Sequence, residues 1–172
     1  LSSITDVILF SGNHDLIENN THRIPSLHAL TQDIDNVYYL RETKVYKYGN
    51  INFYLKSLED DKKIITKLQK GINIGLYHGM LKEINIHDTE YSANDFDMYD
   101  ITLLGDIHKR QVFKDKIAYS GSLIQQNHGE TIDEHGMMKW NLEGMSYEFI
   151  DIPNDYGFIT VDKDNIDTIK YP

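Results

Sequence analysis

Three short apolar runs, each followed directly by residue types that bind metals, constrain the fold more than any other feature of this chain. The runs are Val7–Phe10, Ile72–Leu76 and Ile101–Leu104. Their length and apolar continuity are typical of buried strands in a parallel sheet. The carboxyl ends of such strands meet at one edge of the sheet, where α/β proteins bind their ligands. The sequence therefore predicts an α/β fold in which the first, second and third run each bring residues to one site.

The residues that follow the runs have side chains suited to a divalent metal. Gly12-Asn13-His14-Asp15 follows the first run, Tyr77-His78-Gly79 the second, and Gly105-Asp106-Ile107-His108 the third. Imidazole combined with carboxylate or amide oxygen favours zinc, manganese or iron over calcium. We predict that the metal ligands are Asn13, His78, Asp106 and His108. The neighbouring His14 should project differently from Asn13, and we predict that it is the catalytic acid at the leaving oxygen.

Phosphodiester hydrolysis is the chemistry that this set of residues fits. It requires a lowered water pKa, neutralised phosphate oxygens and a proton for the leaving alkoxide, and two metals roughly 3.5–4 Å apart can meet the first two requirements. Each motif alone has an ordinary alternative, since Gly12-Asn13 is typical of a turn and His78 could be a hydrogen-bonded residue at a strand end. Asp106 could be a turn residue and His108 a core histidine. An extended Asp-x-His would nevertheless put both side chains on one side, which favours ligation.

The ordered motifs, joined by Tyr119-Ser120-Gly121-Ser122-Leu123-Ile124-Gln125-Gln126, resemble calcineurin-like metallophosphoesterases, specifically the SbcD-type DNA-repair nucleases. The match extends from Asp6 to Val161. The resemblance implies a two-sheet metallophosphoesterase sandwich flanked by helices (α-β-β-α). It also implies two divalent metal ions, with manganese as the activating metal. The implied site residues are Asn13, His78 and Asp106 at one metal, His108 at the other, and His14 as the catalytic histidine.

The same resemblance implies DNA as the substrate, an ABC-type ATPase with long coiled coils as partner, and a homodimer. Three departures from the family pattern bear on this. Asp106 stands where the family has the first histidine of Gly-His-x-His, and Ser120 stands where proline is common. The family's earlier Asp-x-His and Gly-Asp-x-x-Asp motifs, which complete the metal site, do not occur before Gly12. We therefore expect a piece of a longer polypeptide whose N-terminal strands are missing here.

Composition limits the class of protein. The 172 residues suit one core, which we place at 1–152, with 153–172 as an exit segment that begins a capping domain, as in phage or viral members of the family. There is no cysteine, so any metal must be bound by His, Asp, Asn or Glu. Without a signal peptide or a membrane-length apolar stretch, we expect an intracellular protein that is not secreted. The net charge of −10 is unusual for DNA binding, and a basic partner could compensate.

Patterning predicts further elements. Gly49-Asn50 is a two-residue hairpin signal between two strands. Ser57-Leu58-Glu59-Asp60 resembles a capping box, and the apolar spacing after it predicts a helix that ends at Gly71. Met80–Asp100 is expected to be an ordered excursion over the site. The predicted strands are Asp6–Phe10, Val37–Leu40, Lys44–Tyr48, Ile51–Lys56, Ile72–Leu76, Ile101–Leu104, Gln111–Phe113, Lys116–Tyr119, Gly136–Leu142 and Ser146–Ile152.

These observations support a metal-dependent DNA nuclease of recombination and repair as the first functional hypothesis. A phosphoesterase that acts on nucleotides or phosphoproteins is the alternative among enzymes, because the metal motifs are common to the whole superfamily. A non-catalytic scaffold that keeps the fold is the alternative outside enzymes, and the acidic net charge favours it.

Overall fold

A six-stranded sheet is the largest element of the computed structural model, which describes residues 1–16, 26–85 and 89–159. The strand order in this sheet is β3-β4-β5-β6-β8-β7. The strands are β1 (Val7–Phe10), β2 (Val37–Leu40), β3 (Val45–Tyr48), β4 (Ile51–Lys56), β5 (Ile72–His78), β6 (Ile101–Gly105), β7 (Gln111–Phe113), β8 (Ile117–Tyr119), β9 (Gly136–Asn141) and β10 (Ser146–Asp151). The strands predicted from the sequence are confirmed to within two residues at each end.

The six-stranded sheet is mixed. Its four central strands β4, β5, β6 and β8 run parallel, and β3 and β7 are antiparallel at the two edges. The predicted hairpin at Gly49-Asn50 is confirmed, because Tyr48 lies opposite Ile51. Gly49 has a φ of 57°, a conformation that glycine adopts at little cost.

Two small sheets accompany the large one. Strand β1 pairs in parallel with β2, and β9 pairs with β10 as an antiparallel ribbon. The expectation that β1 lies in one sheet with β5 and β6 is therefore wrong. The expected burial of β1 on both faces is also wrong, since all four of its residues are half-buried.

The predicted α/β sandwich flanked by helices is wrong, because the described chain is a small β-rich fold. Across residues 1–16, 26–85 and 89–159, the α-helix is limited to α1 (Ser26–Thr31). Two short 3₁₀ turns, Asn13–Asp15 and Ala93–Phe96, accompany it. The helix predicted after Ser57 does not form, and residues 57–71 instead cross the sheet as an irregular segment.

Tyr54 in β4 and Tyr99 shortly before β6 bind the backbone of this segment and so replace helical hydrogen bonds. The hydroxyl of Tyr54 accepts a hydrogen bond from the Gln69 N–H (2.7 Å), and the hydroxyl of Tyr99 donates to the Ile65 carbonyl (2.7 Å). A helix would use these same backbone groups internally. The apolar spacing that predicted a helix instead reflects Ile64 and Ile65 packing against the sheet.

The core consists of two clusters, one on each face of the large sheet. One cluster is rich in aromatic residues: Tyr54, Tyr77, Leu81, Tyr91, Ala93, Phe96, Tyr99, Leu104, Ile117 and Tyr119. The other lies between the large sheet and the β1–β2 pair: Leu40, Leu55, Ile74, Leu76 and Ile101, with Ile8 and Phe10 packed on it. Alternation along each strand directs neighbouring residues such as Tyr54 and Leu55 to opposite clusters.

The described residues of the Met80–Asp100 excursion are ordered, and its expected position over the site stays a prediction. Its buried side chains, Leu81, Tyr91, Phe96 and Tyr99 among them, pack on the aromatic face of the sheet. Residues 160–172 of the expected exit segment lie outside the described residues, and so does Pro25, where the sequence pattern favours the start of a short helix. Among the described residues, no helix combines the length and the apolar character that a membrane crossing requires.

Candidate metal centre

The ends of β1, β5 and β6 meet, although β1 belongs to a different sheet. Asn13 Oδ1 lies 3.1 Å from His78 Nε2, and Asn13 Nδ2 lies 3.5 Å from Asp106 Oδ1. His78 Nε2 is 3.7 Å from the same Asp106 oxygen. The structure thus brings together three of the four predicted metal ligands from positions separated by up to 93 residues.

These distances fit a shared metal ion. Two atoms that each lie about 2.1 Å from one ion are separated by roughly 3.0 Å at a right angle and roughly 3.4 Å at the tetrahedral angle. The separation of 3.1 Å falls between these values and that of 3.7 Å is slightly longer, whereas the 3.5 Å contact to Asp106 is made by the amide nitrogen of Asn13, which is not a ligand atom. One imidazole nitrogen, one carboxylate oxygen and one amide oxygen form a donor set suited to manganese, iron or zinc.

Two glycines make room for the His78 ring. A Cβ atom on Gly12 would lie 2.7 Å from His78 Cε1, and one on Gly105 would lie 2.6 Å from His78 Nδ1. Gly105 pairs with His78 in the β5–β6 register, so the ring lies over the end of β6. The glycines of the two motifs therefore act together, because both are needed for one imidazole.

The electrostatics of the site favour a neutral His78. Burial lowers the pKa of His78, and the carboxylates of Asp106 and Asp15 oppose that shift without cancelling it. His14 acts in the same direction as burial. Neutral imidazole is the form that binds a metal.

A hydrogen-bond network holds the turn that carries Asn13. Asp15 Oδ2 accepts the Gly12 N–H at 2.8 Å, which closes the 3₁₀ turn. Buried Ser11 donates to Glu59 Oε1 at 2.9 Å, and Tyr39 donates to the same oxygen at 2.7 Å. Burial, with a contribution from Glu59, raises the pKa of Tyr39 to about 12. Sequence analysis gave Asp15 no role and placed Glu59 in a helix cap, so it missed this support.

Asp106 has a backbone conformation that is costly for a residue with a side chain. Its φ is 95°, and such conformations persist in folded proteins mostly at functional sites. Asp106 is therefore not in an extended conformation, and the expectation that its side chain and that of His108 lie on one side of a strand is wrong. The side chain of Asp106 reaches Asn13 and His78, whereas that of His108 takes another direction.

Asp106→Gly is expected to stabilise the fold while weakening manganese binding. Glycine adopts the observed φ with little strain, so the free energy of unfolding should rise by about 1 kcal/mol. The melting temperature, measured in EDTA, should then rise by roughly 2–4 °C. The matched control is Asp115→Gly, at a second positive φ of 58°, which should not change manganese affinity. A melting temperature that falls for Asp106→Gly alone would contradict the assigned strain.

His14 is exposed and is next to Asn13 in the sequence, beside the three predicted ligands. Its backbone N–H donates to Asn13 Oδ1 at 3.1 Å, and the residue is exposed to solvent. Asn13 thus contacts His78, while His14 is exposed, and its role as the catalytic acid stays a prediction. This arrangement suits a group that acts on a bound substrate.

His108 is associated with a different residue, Glu130. Its Nδ1 lies 2.7 Å from Glu130 Oε1, and no contact in the described ranges joins it to the other three predicted ligands. Although burial works to raise the pKa of Glu130, hydrogen bonds from Gln126 and His108 hold it below its usual value. Sequence analysis missed Glu130, whose only signal was its position shortly after the Tyr119–Gln126 segment.

The Tyr119–Gln126 segment supports the backbone of His108. The Ser122 N–H donates to the His108 carbonyl at 3.0 Å, and a Cβ on Gly121 would lie 2.8 Å from that oxygen. In the described part of the chain, no group of three or more His, Cys, Asp or Glu side chains is arranged to hold a metal. The centre at Asn13 instead combines one histidine, one aspartate and one amide.

The sequence is similar to that of a viral protein. No protein-family model matches the sequence. The chain is similar to Uncharacterized protein R555 of Acanthamoeba polyphaga mimivirus, with 36% identity over 183 aligned residues. The alignment covers 94% of this chain and 14% of the viral protein, so the chain spans about one seventh of its relative's length.

Proposed function

We propose that this chain contributes a divalent-metal site to a phosphodiesterase that cleaves DNA. The observation that carries the proposal is the convergence of Asn13, His78 and Asp106, with Asn13 Oδ1 and Asp106 Oδ1 at 3.1 Å and 3.7 Å from His78 Nε2. The proposal rests on this geometry and on the motifs, and it does not require the sandwich fold expected from the family resemblance.

In this proposal each predicted site residue of the chain has a separate role. Asn13, His78 and Asp106 would hold the metal, with manganese favoured by the family resemblance. A bound divalent ion supplies positive charge to phosphate oxygens and acidifies water. His14, exposed beside the ligands, would donate a proton or hydrogen bond to the leaving oxygen. His108 would serve a second metal whose remaining ligands the family resemblance places in upstream motifs.

DNA as the substrate is supported by the nuclease-like Tyr119–Gln126 segment and opposed by the net charge of −10. Of the two basic residues after His108, Arg110 is bound to Asp151 at 2.5 Å and to the Glu134 carbonyl at 2.6 Å. Exposed Lys109 remains for a phosphate contact. A basic ABC-type ATPase partner and a homodimer, both implied by the resemblance, would supply the missing positive surface.

Manganese removal should abolish activity. We expect the chain, produced within the longest natural polypeptide that contains it, to degrade linear double-stranded DNA with manganese and to stop with EDTA. Metal analysis should give two manganese ions per polypeptide, one of them lost in His78→Ala. Cleavage that persists in EDTA, or a folded His78→Ala variant with unchanged metal content, would contradict the proposal.

The same preparation distinguishes the alternatives. Hydrolysis of nucleotides or phosphopeptides, with DNA left intact, would identify the alternative enzyme, a phosphoesterase that acts on nucleotides or phosphoproteins. The acidic net charge favours a non-catalytic scaffold that binds a basic protein partner. A scaffold would bind fewer than two metal ions and cleave none of these substrates.

A further inference from the structure

Glu130 is anchored in a way that fixes one acceptor oxygen against His108. Its Oε2 accepts the Gln126 N–H at 2.8 Å, and its Oε1 accepts from Asn127 Nδ2 at 2.6 Å. Its backbone carbonyl accepts from the side-chain amide of buried Gln125 at 2.8 Å. The carboxylate is therefore held from two sides, and its side chain is only 17% exposed.

His108 receives its orientation from this anchored carboxylate. A carboxylate accepts but cannot donate, so the 2.7 Å contact requires His108 Nδ1 to carry the proton. In the neutral ring the other nitrogen, Nε2, then has a lone pair, and it makes no hydrogen bond to any described residue. The ring is 48% exposed and lines a cavity of about 250 Å³ with Lys109, Glu130 and Thr131.

We propose that Glu130 is a positioning residue that holds His108 in the Nδ1–H tautomer and presents Nε2 as a ligand for a divalent metal. The inference rests on the proposed function for the metal, but the fixed tautomer does not depend on it. Carboxylates that accept the second ring N–H of a ligating histidine orient the ring and raise its basicity. The Tyr119–Gln126 segment and Glu130 would then serve one purpose, since the first holds the backbone of His108 and the second holds its ring.

The test compares Glu130→Ala with Asn127→Ala, because both remove a hydrogen bond at the same carboxylate and only the first removes the contact to His108. Histidine tautomers are read from nitrogen-proton NMR spectra of the metal-free chain at pH 8, with His108→Ala used for assignment. Manganese affinity is measured by calorimetry on the longest natural polypeptide. Glu130→Gln keeps the side-chain volume and one acceptor oxygen, so it covers the case in which the alanine variant does not fold.

We expect Glu130→Ala to shift His108 towards the Nε2–H tautomer and to weaken manganese binding at the His108 site about 10-fold or more. Glu130→Gln should have a smaller effect, and so should Asn127→Ala, because it removes one anchor of the carboxylate and keeps the contact to His108. An unchanged tautomer in the folded Glu130 variants would overturn the inference, and so would equal effects from Asn127→Ala. If Glu130→Ala shifts the tautomer but the wild-type polypeptide binds no manganese, the proposed function is overturned, and Glu130 remains the residue that fixes the His108 ring.

Discussion

Replacing His14 by alanine is expected to lower the rate of DNA cleavage about 100- to 10,000-fold while leaving the manganese content unchanged. The imidazole of His14 is exposed and does not contact the three ligand side chains. Its backbone N–H, which binds Asn13 Oδ1, is retained in alanine. The loss should therefore affect proton transfer to the leaving group and spare metal binding.

The measurement is single-turnover cleavage of linear DNA, with metal counted in the same samples. His128→Ala is the matched control, since it removes another exposed histidine from a loop and should cleave at the wild-type rate. A substrate with a better leaving group should recover part of the rate lost in His14→Ala. Loss of manganese in that variant would show instead that His14 is a ligand.

Gly12→Ala should lower manganese affinity about 10- to 100-fold without removing any ligand atom. The added methyl group would lie 2.7 Å from His78 Cε1, a distance that real Cβ atoms essentially never show. The ring must then move, because the backbone of Gly12 is fixed by Asp15 and by the pairing of β1 with β2. Calorimetric titration with manganese measures the effect.

Gly144→Ala provides the matched control for Gly12→Ala. Its added methyl group would meet its nearest neighbour, Ser146 Oγ, at 3.5 Å, which is ordinary contact. This variant should bind manganese as the wild type does. Wild-type affinity in a folded Gly12→Ala chain would contradict the placement of His78 against β1.

The strands were predictable because their signal is local. Ile72–His78 and Ile101–Gly105 alternate or accumulate apolar residues, and the Gly49-Asn50 turn joins two neighbouring strands. Sheet membership was not predictable in the same way. Whether β1 pairs with β2 or with β5 depends on contacts between distant residues, and a run of four apolar side chains is compatible with both.

The site shows the same division. The motifs predicted that Asn13, His78 and Asp106 lie close together, since each combines a strand end with a side chain that can bind a metal, and the structure brings them together. The helix predicted after Ser57 was wrong, because Tyr54 and Tyr99 bind that segment through their hydroxyl groups, and the spacing of apolar residues does not reveal such contacts. Glu130 was missed for a related reason: a single glutamate in a polar loop has no pattern, and its role depends on the ring it faces.

The amide of Gln125 connects the loop around His108 to a distant part of the chain. It donates to the carbonyls of Glu130 and Phe158, and its oxygen accepts the Phe158 N–H at 2.6 Å. If residues 157–159 shifted, this 5%-exposed amide would lose partners, a loss that costs about 1–3 kcal/mol unless the loop follows. A movement of the backbone after β10 would thus displace the loop in which Glu130 contacts His108.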